Sequence, residues 1–312
     1  MLDFSNSKIL IVGDVMLDKY YFGKVDRISP EAPVPIVNIQ KEESRLGGAS
    51  NVANNIVSLG GHSLLCGVIG HDLFGKEIER ISRHKNIDTF LLKTSSPTIT
   101  KARIIGGKQQ IVRVDYEDKS ELNADNKKLF RDTISRILPE YDILVISDYG
   151  KGLISEDLCR YLIKLAHKYD KKVIIDPKGK NWEKYSGADI VTPNVKELSD
   201  IVGYTVPNTD RAIEKAAREA ITNNHLSALL VTRSDKGMSL IGPIPPIHIP
   251  THSEEVFDVS GAGDTVVATL GLCLAAGFEI SEAMRTANIA AGIVVKKVGT
   301  ATLTIEELVQ QK

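Results

Sequence analysis

Short apolar runs alternate with longer amphipathic stretches along most of the chain. The runs are nearly all apolar, as expected for strands buried on both faces of a sheet, and they cover residues 8–13, 64–69, 143–147, 172–176, 190–192 and 228–232. The stretches between them have helical spacing and cover residues 49–59, 127–138, 155–169, 210–223, 265–278 and 281–296. This alternation predicts an α/β fold with a mainly parallel central sheet.

Two segments, 16–40 and 98–115, carry strand patterns with no helix to cross over between them. The second is typical of a hairpin, with strands at about 98–105 and 110–115 and a turn at Gly106, Gly107 and Lys108. We expect both segments to form a small sheet that stands off the main body, as a lid or a dimer surface. The alternative is an antiparallel extension of the main sheet.

The composition narrows the class of protein. The chain of 312 residues, with 42% hydrophobic and 25% charged residues, fits one large globular domain or two average ones. Lys+Arg number 39 and Asp+Glu 40, so no cation excess favours nucleic acid. The uncharged run 265–278 is shorter than the roughly 20 residues that span a bilayer. Cys66, Cys159 and Cys273 lie far apart and no signal peptide is visible, which favours the cytoplasm.

The most specific motif covers residues 258–265, Asp-Val-Ser-Gly-Ala-Gly-Asp-Thr, and leads into an apolar helical run. Gly261 and Gly263 allow a tight turn and a close approach to a ligand. The helix start directs free N–H groups and the positive end of the dipole at an anion. A carboxylate here suits a hydroxyl that must lose its proton as it attacks phosphorus, so Asp264 is a candidate general base. The alternative is that Asp264 only stabilises the first helical turn.

Other polar residues lie where strands end or helices begin. Asp14 follows the first apolar run, at the edge where open α/β sheets bind ligands. Asn51 follows Gly47 and Gly48 at a helix start, and its amide can donate to and accept from sugar hydroxyls. The structural alternatives are a turn cap for Asp14 and a helix-surface position for Asn51.

The motif at 258–265 resembles the C-terminal signature of the ribokinase-like (PfkB) carbohydrate kinases. Residues 47–53, Gly-Gly-Ala-Ser-Asn-Val-Ala, resemble their N-terminal signature, and residues 192–197, Thr-Pro-Asn-Val-Lys-Glu, their middle motif. The resemblance implies a three-layer α/β/α ribokinase-like domain over residues 1–312, with the lid from about 16–40 and 98–115. It also implies ATP-dependent phosphorylation of a sugar with Mg²⁺, and in some members K⁺.

The resemblance places functional roles on named positions of this chain. Asp264 would be the catalytic base, and the amides of Gly261, Ala262 and Gly263 would stabilise the transferred phosphoryl group. Residues implied to contact the sugar are Asp14, Gly47, Gly48, Asn51 and Asp148.

Further positions are implied to bind the nucleotide and ions. The nucleotide residues are Thr232, Arg233, Ser234, Gly237, Asn288 and Gly292, with helix packing an equal alternative for Asn288 and Gly292. Asn194 and Glu197 would hold Mg²⁺, partly through water, and the ATP phosphates, whereas their spacing alone favours a helix-capping box. A monovalent cation would lie near Asp258, Ser260 and Gly299.

Longer stretches, at 13–20, 27–35, 147–152, 176–179 and 230–234, are most similar to the bacterial kinases that phosphorylate D-glycero-β-D-manno-heptose 7-phosphate at O1. That step belongs to ADP-heptose and lipopolysaccharide core biosynthesis. The substrate is a dianion, so its pocket needs basic side chains. Lys178 is the first candidate, and the others are Arg113, Lys101, Arg103 and Lys151. Such kinases are often fused to a nucleotidyltransferase, but no HxGH-type motif occurs here, so we expect no adenylylation by this chain.

Several alternatives accompany this interpretation. Residues 70–77 fit GxxxxGK but end in Glu77, where a P-loop needs a hydroxyl for Mg²⁺, so they are not expected to form one. His248 and His252 flank Pro250 and are not expected to bind metal. The chain could instead phosphorylate another sugar, a sugar phosphate or a nucleoside, or bind one without catalysis. Open strand edges of the lid predict a homodimer.

Overall fold

The computed structural model describes residues 2–251 and 256–311, so the prediction for His252 lies outside the described residues. The strands are β1 Lys8–Gly13, β2 Val15–Ile28, β3 Pro35–Gly48, β4 His62–Gly70, β5 Asp88–Thr94, β6 Thr100–Gly106, β7 Gln109–Tyr116, β8 Ile143–Ser147, β9 Lys172–Asp176, β10 Ile190–Val191, β11 Leu229–Thr232, β12 Met238–Ile241 and β13 Ile247–Ile249. The α-helices are α1 Ala49–Ser58, α2 Leu73–His84, α3 Ala124–Ile137, α4 Glu156–Lys168, α5 Val195–Val202, α6 Asp210–Asn224, α7 Ala262–Ala275, α8 Ile280–Val294 and α9 Ile305–Gln311. Each strand and helix expected from the apolar pattern is present, with its ends within three residues of the prediction.

The main sheet has the strand order β13-β12-β11-β10-β9-β8-β1-β4-β5. Its strands are parallel from β5 to β11, and β12 pairs antiparallel with both β11 and β13. The carboxyl ends of parallel strands meet at one edge, which is where such sheets bind ligands. Asp14, Asp148 and Asp176 therefore lie along the same edge.

Helices cover both faces of the main sheet, because the side chains of each buried strand alternate between two apolar cores. On β1, Ile9 and Ile11 pack in the core formed with α1, α7 and α8. Leu10 and Val12 pack in the opposite core, formed with α3, α4 and α6. The three-layer α/β/α arrangement with a mainly parallel central sheet is confirmed.

A second sheet has the strand order β3-β2-β6-β7, separate from the main sheet. β2 begins two residues after the end of β1, and β3 returns antiparallel to it until Gly48 lies opposite Val15. This lid sheet therefore rises directly from the ligand-binding edge. The expectation of a separate small sheet is confirmed and the alternative of an extended main sheet is wrong, although β3 continues past residue 40 to Gly48.

Some elements have no counterpart in the sequence-based predictions. The strands β5, β12 and β13 are short or partly exposed, and α2 begins inside the GxxxxGK string. There Asp72 caps the helix by accepting from the amide of Gly75 at 2.8 Å, so the string is a helix start. No helix among residues 2–251 and 256–311 has the length and apolarity to cross a membrane.

Candidate active site

The first turn of α7 is built on a left-handed glycine. Gly261 is the N-cap, with φ of 77°, and a Cβ at this position would lie 2.7 Å from Nδ2 of Asn51. A Cβ at Gly263 would meet no described atom within 4 Å. The first turn therefore packs against α1 at Gly261 and leaves free space next to Gly263. The amides at a helix start have no partner within the helix, so a ligand in this space can accept from them.

Asp264 lies in this first turn, and both of its carboxylate oxygens accept a hydrogen bond. Nδ2 of Asn51 donates to Oδ2 at 2.7 Å, and the hydroxyl of Tyr149 donates to Oδ1 at 2.7 Å. Asn51 is itself anchored, because Nδ2 of Asn55 donates to its carbonyl at 2.9 Å. The Thr265 hydroxyl in turn donates to Oδ1 of Asn55 at 3.0 Å. The N-terminal and C-terminal signatures thus meet at one buried carboxylate.

The surroundings raise the pKa of Asp264 to about 6. Burial is the main cause, and the charge of Asp18 adds to it, while the donors Asn51 and Tyr149 and the charge of Lys101 act in the opposite direction. A carboxylate with this pKa is ionised at neutral pH and can still accept a proton from a reacting hydroxyl.

The lid strands contribute Asp18, Gly47, Lys101 and Arg103 to the same region. Asp18 is buried on β2, and Nη1 of Arg103 donates to its Oδ1 at 2.6 Å. A Cβ on Gly47 would lie 2.5 Å from Oδ2 of Asp18, so a larger residue there would displace the Asp18 carboxylate. Nζ of Lys101 lies 5.4 Å from the centre of the Tyr149 ring. The space between lid and main sheet is thus bounded by charged groups next to Asp264.

Asp14 lies at the end of β1, but its carboxylate bonds to the loop that follows β8. Its Oδ2 accepts from the amides of Tyr149 and Lys151, at 2.8 and 3.0 Å. Its Oδ1 is buried with no hydrogen-bond partner among the described residues. Burial and the charge of Asp148 raise the pKa of Asp14 to about 6. Asp14 also lines a cavity of about 610 Å³ that extends to Lys93 and away from Asp264.

Asp148 is occupied by donors from the main body. The amide of Gly150 donates to Oδ1 at 2.7 Å, and the Tyr185 hydroxyl donates to Oδ2 at 2.7 Å. The ammonium of Lys184 forms an ion pair with the same Oδ2. These contacts hold the loop after β8 in place, and the structure does not direct Asp148 towards Asp264.

Asn194 and Glu197 form the capping box of α5. Oδ1 of Asn194 accepts from the Glu197 amide at 2.9 Å, and Oε2 of Glu197 accepts from the Asn194 amide at 3.1 Å. Nζ of Lys178 lies 3.0 Å from Oε1 of Glu197. Asp176 ends β9 nearby, and its pKa is raised well above the usual value by burial and by the charges of Asp264 and Glu197.

Other residues predicted to bind nucleotide lie at the end of β11 and in the loop that follows it. Arg233 is buried, and its guanidinium donates to Asn208 at 2.9 Å, to Asp210 at 2.5 Å and to Ser239 at 2.8 Å. The loop from Thr232 to Gly237 turns through positive φ at Ser234 and Gly237. The guanidinium of Arg233 is therefore held by contacts within the fold.

The predicted residues on α8 anchor it to the chain after β13. Nδ2 of Asn288 donates to the carbonyl of Pro250 at 2.7 Å, and Gly292 is buried one turn further along the helix. These contacts fit the packing alternative that the sequence left open.

The residues predicted to hold a monovalent cation are brought together. Asp258 accepts from the amide of Ser260 at 2.9 Å and from the amide of Gly299 at 2.8 Å. Burial acts to raise the pKa of Asp258, but these amides outweigh it and lower the pKa overall. Among the described residues no group of three or more His, Cys, Asp or Glu side chains is arranged to hold a metal ion.

A family model of the pfkB carbohydrate kinases matches residues 6–307. The chain belongs to the pfkB family of carbohydrate kinases. It is 46% identical over 308 residues to the bifunctional protein HldE of Haemophilus influenzae strain PittEE, covering 98% of this chain and 63% of that protein. It is 43% identical over 301 residues to HldE of a Nitratiruptor species, covering 96% of this chain and 64% of the relative. The chain thus spans less than two thirds of the length of these pfkB relatives.

Solved structures of similar pfkB-type fold include phosphofructokinase-2 from Escherichia coli in complex with potassium. That structure has 20% identity, a TM-score of 0.80 and 97% coverage of both chains. Ribokinase of Arabidopsis thaliana complexed with ribose and ATP has 19% identity, a TM-score of 0.76 and 98% coverage of both chains. These likenesses confirm the ribokinase-like fold.

The site contains residues that the sequence interpretation did not assign. Tyr149 bonds to Asp264, and Asp18 bonds to the lid cation Arg103. Asp176 interacts with Asp264 and Glu197 through their charges. A signal was present for Asp18, because it directly follows the three apolar residues that begin its strand, Val15, Met16 and Leu17.

Proposed function

We propose that this chain transfers the γ-phosphoryl group of ATP to O1 of D-glycero-β-D-manno-heptose 7-phosphate, giving the 1,7-bisphosphate. The observation that carries the proposal is the buried Asp264 at the open first turn of α7, with Asn51 and Tyr149 on its oxygens. Identity of 43–46% to HldE proteins over nearly the whole chain supports the substrate. We further propose that residues 1–312 work as one kinase domain.

In the proposed reaction, Asp264 and the backbone amides at the start of α7 have different tasks. Asp264 takes the proton of the sugar hydroxyl as that oxygen attacks the γ-phosphorus. The amides of Gly261, Ala262 and Gly263 stabilise the negative charge of the transferred phosphoryl group. Asn51 holds Asp264 in position, so the reacting groups meet with little reorganisation.

Lys101 is the basic residue that best fits the phosphate of the substrate. Lys178 pairs with Glu197, Arg113 with Asp115, and Arg103 with Asp18, so their charges are already compensated. Lys101 forms no ion pair with a described residue, and burial lowers its pKa. An anionic ligand next to Lys101 would offset the cost of burying that charge. We therefore favour Lys101 over Lys178, which was the first candidate from the sequence.

The residues near Glu197 suit Mg²⁺ bound mainly through ATP. Asp176 and Glu197 are oxygen donors, and their mutual repulsion with Asp264 is relieved by a divalent cation. Mg²⁺ usually keeps several waters and takes one or two carboxylates, so Asp176 and Glu197 would suffice as its protein ligands. When bound there, Mg²⁺ would neutralise charge on the ATP phosphates.

Exposed apolar side chains of the lid support a homodimer. They lie on β2, β3 and β7 and in the loop between β2 and β3: Val25, Ile28, Val34, Ile39, Ile111, Val112, Val114 and Tyr116. Apolar patches of this kind on strands are typical of interaction surfaces. We propose that two lids pack together, that the Asp258 loop takes K⁺, and that the reaction takes place in the cytoplasm, where ATP is available.

The substrate is tested by measuring ADP release with ATP, Mg²⁺ and a panel of sugars and sugar phosphates. We expect turnover with heptose 7-phosphate and little with neutral hexoses, fructose 6-phosphate or nucleosides. Turnover only with another sugar would overturn the substrate while leaving the family.

The phosphate contact is tested with Lys101→Ala and the control Lys178→Ala. Loss of a charged contact of roughly 1.5–3 kcal/mol predicts that Lys101→Ala raises KM for the sugar phosphate by about 10- to 100-fold. Lys178→Ala should change this KM far less. The reverse order would restore Lys178 as the phosphate ligand.

A further inference from the structure

Tyr149 connects the catalytic edge of the main sheet with the lid. It follows Asp148 directly after β8, and its amide donates to Oδ2 of Asp14 at 2.8 Å. Its hydroxyl donates to Oδ1 of Asp264 at 2.7 Å. Its ring lies under the ammonium of Lys101, 5.4 Å from the ring centre. The backbone fixes the ring at one end, and the hydroxyl reaches the carboxylate at the other.

We propose that Tyr149 is a positioning residue that orients the Asp264 carboxylate and keeps it ionised near neutral pH. This inference rests on the proposed role of Asp264 as the base. A donor at Oδ1 and a second at Oδ2 fix the plane of the carboxylate, so the remaining lone pairs point to a defined place for the sugar hydroxyl.

The phenol suits this task because it donates to the carboxylate while remaining neutral. Burial and the charge of Asp264 raise the pKa of Tyr149 well above 10, so the hydroxyl stays protonated at any working pH. A neutral donor favours the ionised form of the carboxylate without forming an ion pair that would suppress its basicity. Arginine or lysine at this distance would hold the carboxylate ionised too firmly for it to accept a proton.

The charges around this pair act in both directions. Asp18 on β2 and Asp176 at the end of β9 are negative and disfavour ionisation of the pair. Lys101 on β6 is positive and favours the ionised Asp264. The donors Asn51 and Tyr149 therefore oppose burial and Asp18, and removal of either donor should raise the pKa of Asp264.

The test is Tyr149→Phe, which keeps the ring, its contact with Lys101 and the hydrogen bond from its backbone amide to Asp14. We expect the acidic limb of kcat/KM to move up by about one to two pH units, because a hydrogen bond to a charged group contributes roughly 1.5–3 kcal/mol and a unit corresponds to about 1.36 kcal/mol. The loss of kcat/KM should therefore be about 10- to 100-fold well below pH 6 and slight at pH 8.5. A loss of equal size at every pH would show a merely structural role and overturn the proposal.

The matched control is Tyr185→Phe, which removes the same kind of bond from Asp148 and should leave the acidic limb where it is. A second readout does not need turnover: carboxyl ¹³C NMR titration of the aspartates, with the Asp264 signal assigned by its loss in Asp264→Asn. We expect the Asp264 titration to shift upward in Tyr149→Phe. An unchanged titration would overturn the inference whether or not heptose 7-phosphate is the substrate, and an upward shift without turnover of that sugar would overturn only the substrate.

Discussion

Two tyrosine–aspartate pairs lie at the same edge of the main sheet and have opposite characters. In the first, Tyr149 donates to Asp264, and in the second, Tyr185 donates to Asp148, each at 2.7 Å. Both carboxylates are buried. The difference is in the charge of the other donors: Asp264 has the neutral amide of Asn51, whereas Asp148 has the ammonium of Lys184 in addition to the amide of Gly150.

We infer from the comparison that Asp264 is a reactive carboxylate and Asp148 a structural one. An ion pair fixes the charge of a buried carboxylate and makes it part of the framework. Neutral donors orient a carboxylate and leave it able to exchange a proton, as the pKa of about 6 for Asp264 indicates. We therefore interpret Asp148, which the sequence resemblance assigned to the sugar, as a residue that holds the loop carrying Tyr149.

The largest effect is expected from the reactive pair. Asp264→Asn keeps the shape of the side chain and removes the base, so kcat should fall by about 10²–10⁴. The measurement is ADP release with heptose 7-phosphate, with thermal unfolding as the check that the fold is retained. Near-normal kcat in a folded variant would remove Asp264 from the role of base.

Substitutions at the Asp148 pair should lower the free energy of unfolding. Lys184→Met leaves Asp148 buried with only neutral donors, and breaking a buried ion pair costs about 3–5 kcal/mol of unfolding free energy. Denaturant titration measures this loss. The control is Lys127→Met, which breaks the more exposed pair with Glu121 and should cost less than about 1 kcal/mol. Equal losses in the two variants would contradict the contrast between the pairs.

The pH dependence of kcat/KM should follow the protonation of Asp264. The pKa of Asp264 is raised to about 6, and only the ionised form can accept a proton. As the pH falls through 6 the carboxylate becomes protonated, so kcat/KM should fall about tenfold per pH unit below that value. Asp14 has a similar pKa, so the assignment is checked in Asp14→Asn. If the acidic limb of the kcat/KM profile disappears in this variant, it reports the ionisation of Asp14 and not of Asp264.

Much of the fold was predictable because its signals are local. The apolar runs of β1, β8 and β9 reflect burial on both faces, and Gly48 and Gly261 mark turns with positive φ that other residues rarely adopt. The strands β5 and β13 were missed because edge strands need less apolar sequence, and β12 was missed because it has only four residues. The start of α2 was hidden by the GxxxxGK string, where Asp72 is the cap.

The candidate site was only partly predictable, because it depends on contacts between residues far apart in the chain. Asn51 and Asp264 were both chosen from motifs, and the structure joins them. The choice between Lys101 and Lys178 required knowing which carboxylates pair with each cation. No pattern along the chain shows that Tyr149, rather than Asp148 beside it, reaches Asp264.

The smallest effect is expected from Tyr185→Phe. It removes one hydroxyl from Asp148, which still has Lys184 and the amide of Gly150, so the carboxylate remains satisfied. The unfolding free energy should fall by about 1–2 kcal/mol, less than in Lys184→Met, because a neutral hydroxyl contributes less than a buried cation. The same denaturant titration measures it. If this variant were instead as unstable as Lys184→Met, the hydroxyl and not the charge would hold the Asp148 pair together, and the contrast with Asp264 would rest on geometry alone.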